Sequence, residues 1–161
     1  MNSDQNIEFK ISTGENFVKL EPIELIKYDS EIDWDKNWVK TKVFIKGGQF
    51  SGTYIAEFMT TDFEQFKQEL FNLYDNLKGA ANFKDLEGYL ELKISGNGLG
   101  HFTIEVRAHD STGVDMAELK FSLSFDQTQI KDFVYQLEKI TKFYPITGDF
   151  KIQNETLKIA H

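Results

Sequence analysis

Five stretches of this chain alternate apolar and polar residues with period two, and nothing else in it constrains the fold as strongly. In "NWVKTKVFIK" Val39, Thr41, Val43 and Ile45 share one face, while Trp38, Lys40, Lys42, Phe44 and Lys46 share the other. "QFSGTYIAEFM" groups Phe50, Tyr54, Ala56 and Phe58, and "YLELKIS" groups Leu90, Leu92 and Ile94. "HFTIEVRA" does the same with Phe102, Ile104, Val106 and Ala108, and "DMAELKFSLSF" with Ala117, Leu119, Phe121, Leu123 and Phe125. Successive strand side chains point to opposite faces, so the pattern predicts antiparallel strands with one buried and one wet face.

Cross-strand partners must share a face, which restricts the turns. A two-residue Gly47-Gly48 turn sets Ile45 opposite Phe50 and Val39 opposite Ala56, and Gly-Gly suits such a turn. In "SGNGLGH" a two-residue Asn97-Gly98 turn would set inward Ile94 against outward His101. A three-residue loop, Asn97 to Leu99, is expected instead, pairing Ile94 with Phe102 and Leu92 with Ile104.

Two stretches follow the helical period. "TTDFEQFKQELFNLYDNLKG" aligns Phe63, Phe66, Leu70, Leu73, Tyr74 and Leu77, with Thr61 and Glu64 as a capping box and Gly79 as the stop. "DQTQIKDFVYQLEKITKFYP" aligns Ile130, Phe133, Val134, Leu137, Ile140 and Tyr144, started by Asp126 with Gln129 and ended by Pro145. "NIEFKIS" and "NFVKLEPIELIKY" read as further strands, with Pro22 at a bulge or edge.

Gly52, Ala56 and Glu57 recur 61 positions later as Gly113, Ala117 and Glu118, and the helix anchors recur at an offset of 67. These echoes hint at a duplicated strand–strand–helix unit. The expected architecture is α+β: an antiparallel sheet of hairpins and a meander, with two amphipathic helices packed on one face. A chain of 161 residues suits one domain spanning 1–161, with 146–161 as a C-terminal hairpin extension turning near Asn154.

A net charge of −8 argues against free nucleic acid as a ligand and steers basic partners towards the chain. Cysteine is absent, which removes disulfides, thiolate nucleophiles and zinc–thiolate sites. "MNSDQNIEFKIS" has neither the basic nor the apolar region of a secretory signal, and no apolar run approaches a membrane span. A cytoplasmic protein is expected.

No constellation points to a reaction. "GNGLG" lacks the helix that a phosphate loop needs behind it, because a strand follows. His101 and His109 would lie roughly 26 Å apart on an extended strand, too far to share a metal. Asp29, Glu31, Asp33 and Asp35 alternate as calcium ligands do, but Trp34 and Lys40 occupy the positions of the required glycine and glutamate. No carboxylate pair or serine–base pair stands out, so neither catalysis nor a cofactor is expected. Residues 1 to 36 nevertheless hold nine Asp or Glu against four lysines. That run reads either as a solvated connection or as a recognition edge made by Asp29, Glu31, Asp33 and Asp35 with Trp34 as anchor.

Tyr28 with its acidic loop, then Asp35-Lys36-Asn37-Trp38 opening a long strand, then an acidic helix, a meander and a last helix ending in Phe143-Tyr144-Pro145 form an ordered pattern. Over roughly residues 20 to 145 this chain resembles the WapI-type immunity proteins of bacterial polymorphic toxin systems. The resemblance implies a non-catalytic cytoplasmic protein that binds and neutralises a cognate toxin, a basic nuclease being one candidate. Two departures stand out: Phe50 lies near where the family carries a tryptophan, and residues 146–161 run past its usual end. A small acidic secretion chaperone or adaptor, acting as a homodimer, is the alternative, as is a ligand-binding domain with a pocket between helices and sheet.

Overall fold

A computed structural model describes residues 7–150 and contains one order of elements twice: four strands, then a 17-residue helix. The first half is β1 (Phe9–Thr13), β2 (Asn16–Leu25), β3 (Trp38–Gly47), β4 (Phe50–Met59) and α1 (Thr60–Asn76). The second is β5 (Lys78–Lys84), β6 (Leu90–Asn97), β7 (His101–His109), β8 (Glu118–Asp126) and α2 (Gln127–Phe143). The α+β class and the antiparallel pairing hold, but the strands divide into two meanders, β1-β2-β3-β4 and β5-β6-β7-β8. The predicted terminal hairpin falls largely outside the described residues.

The predicted alternation holds except at two strand ends, where Phe50 is 70% exposed and Ala117 lies exposed before β8, and the predicted registers are two residues off. In the first hairpin Gly47 pairs with Phe50 and Val39 with Phe58, so the turn is Gly48-Gln49. Gly48 takes the left-handed conformation there at φ 65°. In β6–β7 Ile94 pairs with Ile104 and the loop is Gly98 to Gly100. A slip of two keeps every side chain on its face, which is why alternation alone could not detect it. Gly47 stays in β3 because Phe121 of the second sheet packs on it; a Cβ there would stand 2.6 Å from the ring.

The inner faces of both sheets and both helices share one core. Phe9 meets Phe66 and Phe133 edge-on at 5.5 and 5.8 Å, and Phe83 meets Phe58, Phe63 and Phe66 at 5.0 to 5.7 Å. Each helix lies against the first strand of the other half, α1 on β5 and α2 on β1. In α1 the Glu69 carboxylate accepts the Asn82 N–H at 2.8 Å, and in α2 Gln136 accepts the Lys10 N–H at 2.7 Å. Glu69 and Gln136 are 67 positions apart, so equivalent helix positions latch equivalent strands.

The offset of 67 extends to the strand before each helix. Phe58 and Phe125 are both buried, as are Phe63 and Ile130, Phe66 and Phe133, Leu70 and Leu137, and Leu73 and Ile140. The offset of 61 does not mark equivalent strand positions, since Gly113 and Ala117 lie in the β7–β8 connection. The two helix starts also match. Met59 caps α1 and its N–H donates to Asp62 at 2.9 Å; Asp126 caps α2 and its N–H donates to Gln129 at 3.4 Å. The α2 start is as predicted, whereas in α1 Asp62 replaces the predicted Thr61–Glu64 box and Glu64 pairs with Lys67 instead. Leu77, left-handed at φ 60°, ends α1 two residues before the predicted Gly79.

Candidate functional site

Strand β2 loses its regular pairing at a bulge between Pro22 and Glu24, where proline has no N–H to give the ladder. The Ile26 N–H still donates to the Trp38 carbonyl at 2.9 Å, and the chain then leaves the sheet until β3 begins. Asp33–Asn37 of this connection forms a short 3-10 helix. At its end Asn37 is fully buried and uses its whole amide. Its Nδ2 donates to the carbonyls of Asp33 and Thr147, both at 2.9 Å. Its Oδ1 accepts from the Thr60 hydroxyl at 3.0 Å and the Thr147 N–H at 2.7 Å. One side chain thus ties the connection, the start of α1 and the segment after α2 together.

The five predicted contact residues all lie on this connection, in different settings. Asp29 and Glu31 are exposed, with no ion pair among the described residues, and Asp35 is half-buried. Asp33 pairs with Lys36 at 3.3 Å. Trp34 remains 40% exposed, but Phe150 meets it edge-on at 5.5 Å, so the chain's own tail segment covers part of the predicted anchor. Gly148 sits against Asp33, leaving no room for a Cβ: one would stand 2.9 Å from the Asp33 Cβ. Trp38 is buried across from Met59 at the start of β3, on the face opposite Val39 as its parity requires.

Sequence reading missed the apolar component. Ile23, Leu25, Tyr28, Ile32 and Ile55 are all exposed on or beside the connection. A shallow groove of 630 Å³ runs between Glu24–Lys27, Lys40, Ile55 and Glu57. Tyr28 donates its hydroxyl to the Glu57 carboxylate at the groove, and that bond, with some burial and the carboxylate's charge, pushes its pKa up to about 12. The available signal was isoleucine outside any period within an acidic stretch: Ile23, Ile26 and Ile32. Exposed aromatic and aliphatic side chains with a charged rim are the composition of a protein-recognition surface.

Titratable groups elsewhere are built into the scaffold. Burial pushes Asp62 up to about 7; the Met59 N–H opposes that shift and the Asp85 charge adds to it. Asp85 is buried and accepts the N–H groups of Tyr89 and Leu90, both at 2.9 Å, which shapes the β5–β6 connection. His109 spans the Gly88 carbonyl and the Glu118 carboxylate, and its hydrogen bond holds Glu118 below the usual carboxylate range. Among the described residues no three His, Asp or Glu side chains converge to hold a metal ion.

Residues 8–145 match the model of the "Immunity protein WapI-like family". The chain belongs to that family. A WapI-like immunity protein has a role in toxin immunity and binds a cognate toxin, generally without catalysis. No curated protein matches this WapI-like chain. Among solved structures it is similar to WHY1 from Arabidopsis thaliana, at 12% identity and a TM-score of 0.49, over 91% of this chain and 88% of that one. The plant transcriptional regulator PBF-2 matches at 14% identity and a TM-score of 0.43, over 96% of each chain. No described helix is long and apolar enough to cross a membrane.

Proposed function

We propose that this WapI-like protein neutralises its toxin in the cytoplasm, as a single domain, by occluding a basic surface with the β2–β3 connection. The observation that carries the reading is local concentration. Exposed Tyr28, Ile32 and Trp34 alternate with exposed Asp29, Glu31 and Asp33 on a segment that Asn37 holds in place. Apolar side chains held before binding give affinity at low ordering cost, and the carboxylates raise the rate of encounter with a cationic partner. A basic nuclease active-site surface has the matching chemistry.

Co-expression with a cognate toxin domain should restore growth. The triple variant Asp29→Lys/Glu31→Lys/Asp33→Lys should slow association with that toxin about tenfold or more at low salt and flatten its salt dependence. Trp34→Ala should act mainly on dissociation. Wild-type kinetics in the triple variant would remove the acidic edge from the interface, and absence of growth rescue by the wild type would remove the immunity reading for that toxin.

A further inference from the structure

The outer face of the first sheet has the opposite character to the connection beside it. Lys10 stands directly across from Lys19, and Lys19 directly across from Phe44. Lys42 and Lys46 flank Phe44 along β3, and Phe17 lies across from Lys46. Ammonium groups of Lys19 and Lys42 sit 4.6 and 5.1 Å from the centre of the Phe44 ring, and that of Lys10 sits 5.2 Å from Phe17. Glu21 and Glu15 reach only Lys19 and Lys46, at 3.5 and 3.8 Å. Like charges directly opposite on a sheet cost stability, so the Lys10–Lys19 pair is a local conflict that the fold does not require.

We infer that this face is a second docking surface, separate from the acidic connection, for an extended carboxylate-rich segment of a protein partner lying along β3. Alternate residues of a strand are about 6.8 Å apart, so acids four positions apart on an extended partner segment match Lys42 and Lys46, with Phe44 between them. Nucleic acid fits less well, because the ammonium groups of Lys19 and Lys42 already lie against the Phe44 ring where a base would stack. The second sheet's outer face is less one-sided, since Glu91 bridges Lys84 and Arg107 at 3.9 and 4.0 Å.

The test uses the full chain and a labelled peptide of alternating glutamate and threonine, read by fluorescence anisotropy at about 0.05 M salt, where screening is weak. Saturable binding is expected, falling about tenfold by about 0.3 M salt. Lys19→Thr/Lys42→Thr keeps strand preference and should weaken binding about tenfold or more with an unchanged melting temperature. Lys19→Glu/Lys42→Glu should abolish it. Three results would each overturn the inference: no peptide binding at low salt, unchanged binding in the threonine variant, or tighter binding of an oligothymidine. No toxin is present in the assay, so its failure leaves the immunity reading standing.

Discussion

The two halves place equivalent parts at equivalent positions and then spend their irregular chain differently. In the first half β1–β2 and β3–β4 close through tight turns, and the long connection falls between the second and third strands. In the second half β6–β7 is the tight turn, and the longer connections join β5 to β6 and β7 to β8. The long connections are held by different buried polar groups: Asn37, with four hydrogen bonds to three segments, in the first half, and Asp85, with two to its own loop, in the second. The repeated framework carries stability, while the candidate recognition surface occupies a connection that the other half reduces to three residues.

The largest expected effect comes from removing the first half's pin. Asn37→Ala removes four hydrogen bonds and leaves the buried Thr60 hydroxyl without its partner, and a loss of about 3 kcal/mol is expected in denaturant unfolding. A loss below about 1 kcal/mol would show that the connection is not fixed by this side chain.

The next effect makes the first helix start like the second. Asp62 occupies the position that Gln129 holds in α2, and its carboxyl is pushed up to about 7. A folded-state value raised above the unfolded one means that the favourable contribution is present below the ordinary carboxylate value and is lost as pH rises through about 7. Asp62→Asn keeps the acceptor for the Met59 N–H and removes the charge. Its stability should equal the parent's below about pH 4 and exceed it by about 2 kcal/mol above pH 7, followed by unfolding across that range. A pH-independent difference would assign the effect to packing.

The smallest effect compares the two latches. Glu69 is buried and Gln136 half-buried, so Glu69→Ala should cost about 2 kcal/mol and Gln136→Ala about 1 kcal/mol or less. Equal costs would show that the halves use their latches equivalently despite the difference in burial.

Much of the framework was legible because it repeats a period. Every strand with clean alternation was found, and so were both helices and the Asp126–Gln129 start. β5, "KGAANFK", was not, since glycine, two alanines and asparagine carry little strand preference; it is a strand because β6 pairs with it and Glu69 holds its edge. The acidic residues of the candidate site were visible as a group, but the exposed Ile23, Leu25 and Ile55 beside them were not. Asn37 reads in the sequence as a polar residue before a tryptophan, and only the approach of Thr60 and Thr147 makes it a pin. Trp34 had no periodic role, which correctly left it at the surface, yet nothing local showed that Phe150 would pack against it.

By itself the sequence determined which strand positions share a face, where both helices run, that the chain is acidic and that its pattern is that of WapI-like immunity proteins. Those properties depend on residue type and spacing within a single element. Tertiary structure alone decided that the strands divide into two sheets, that each helix latches the other half, and that a basic face stands beside an acidic edge. Those depend on partners far apart in the chain, and a strand's period is the same whichever sheet it joins and whichever even register it takes.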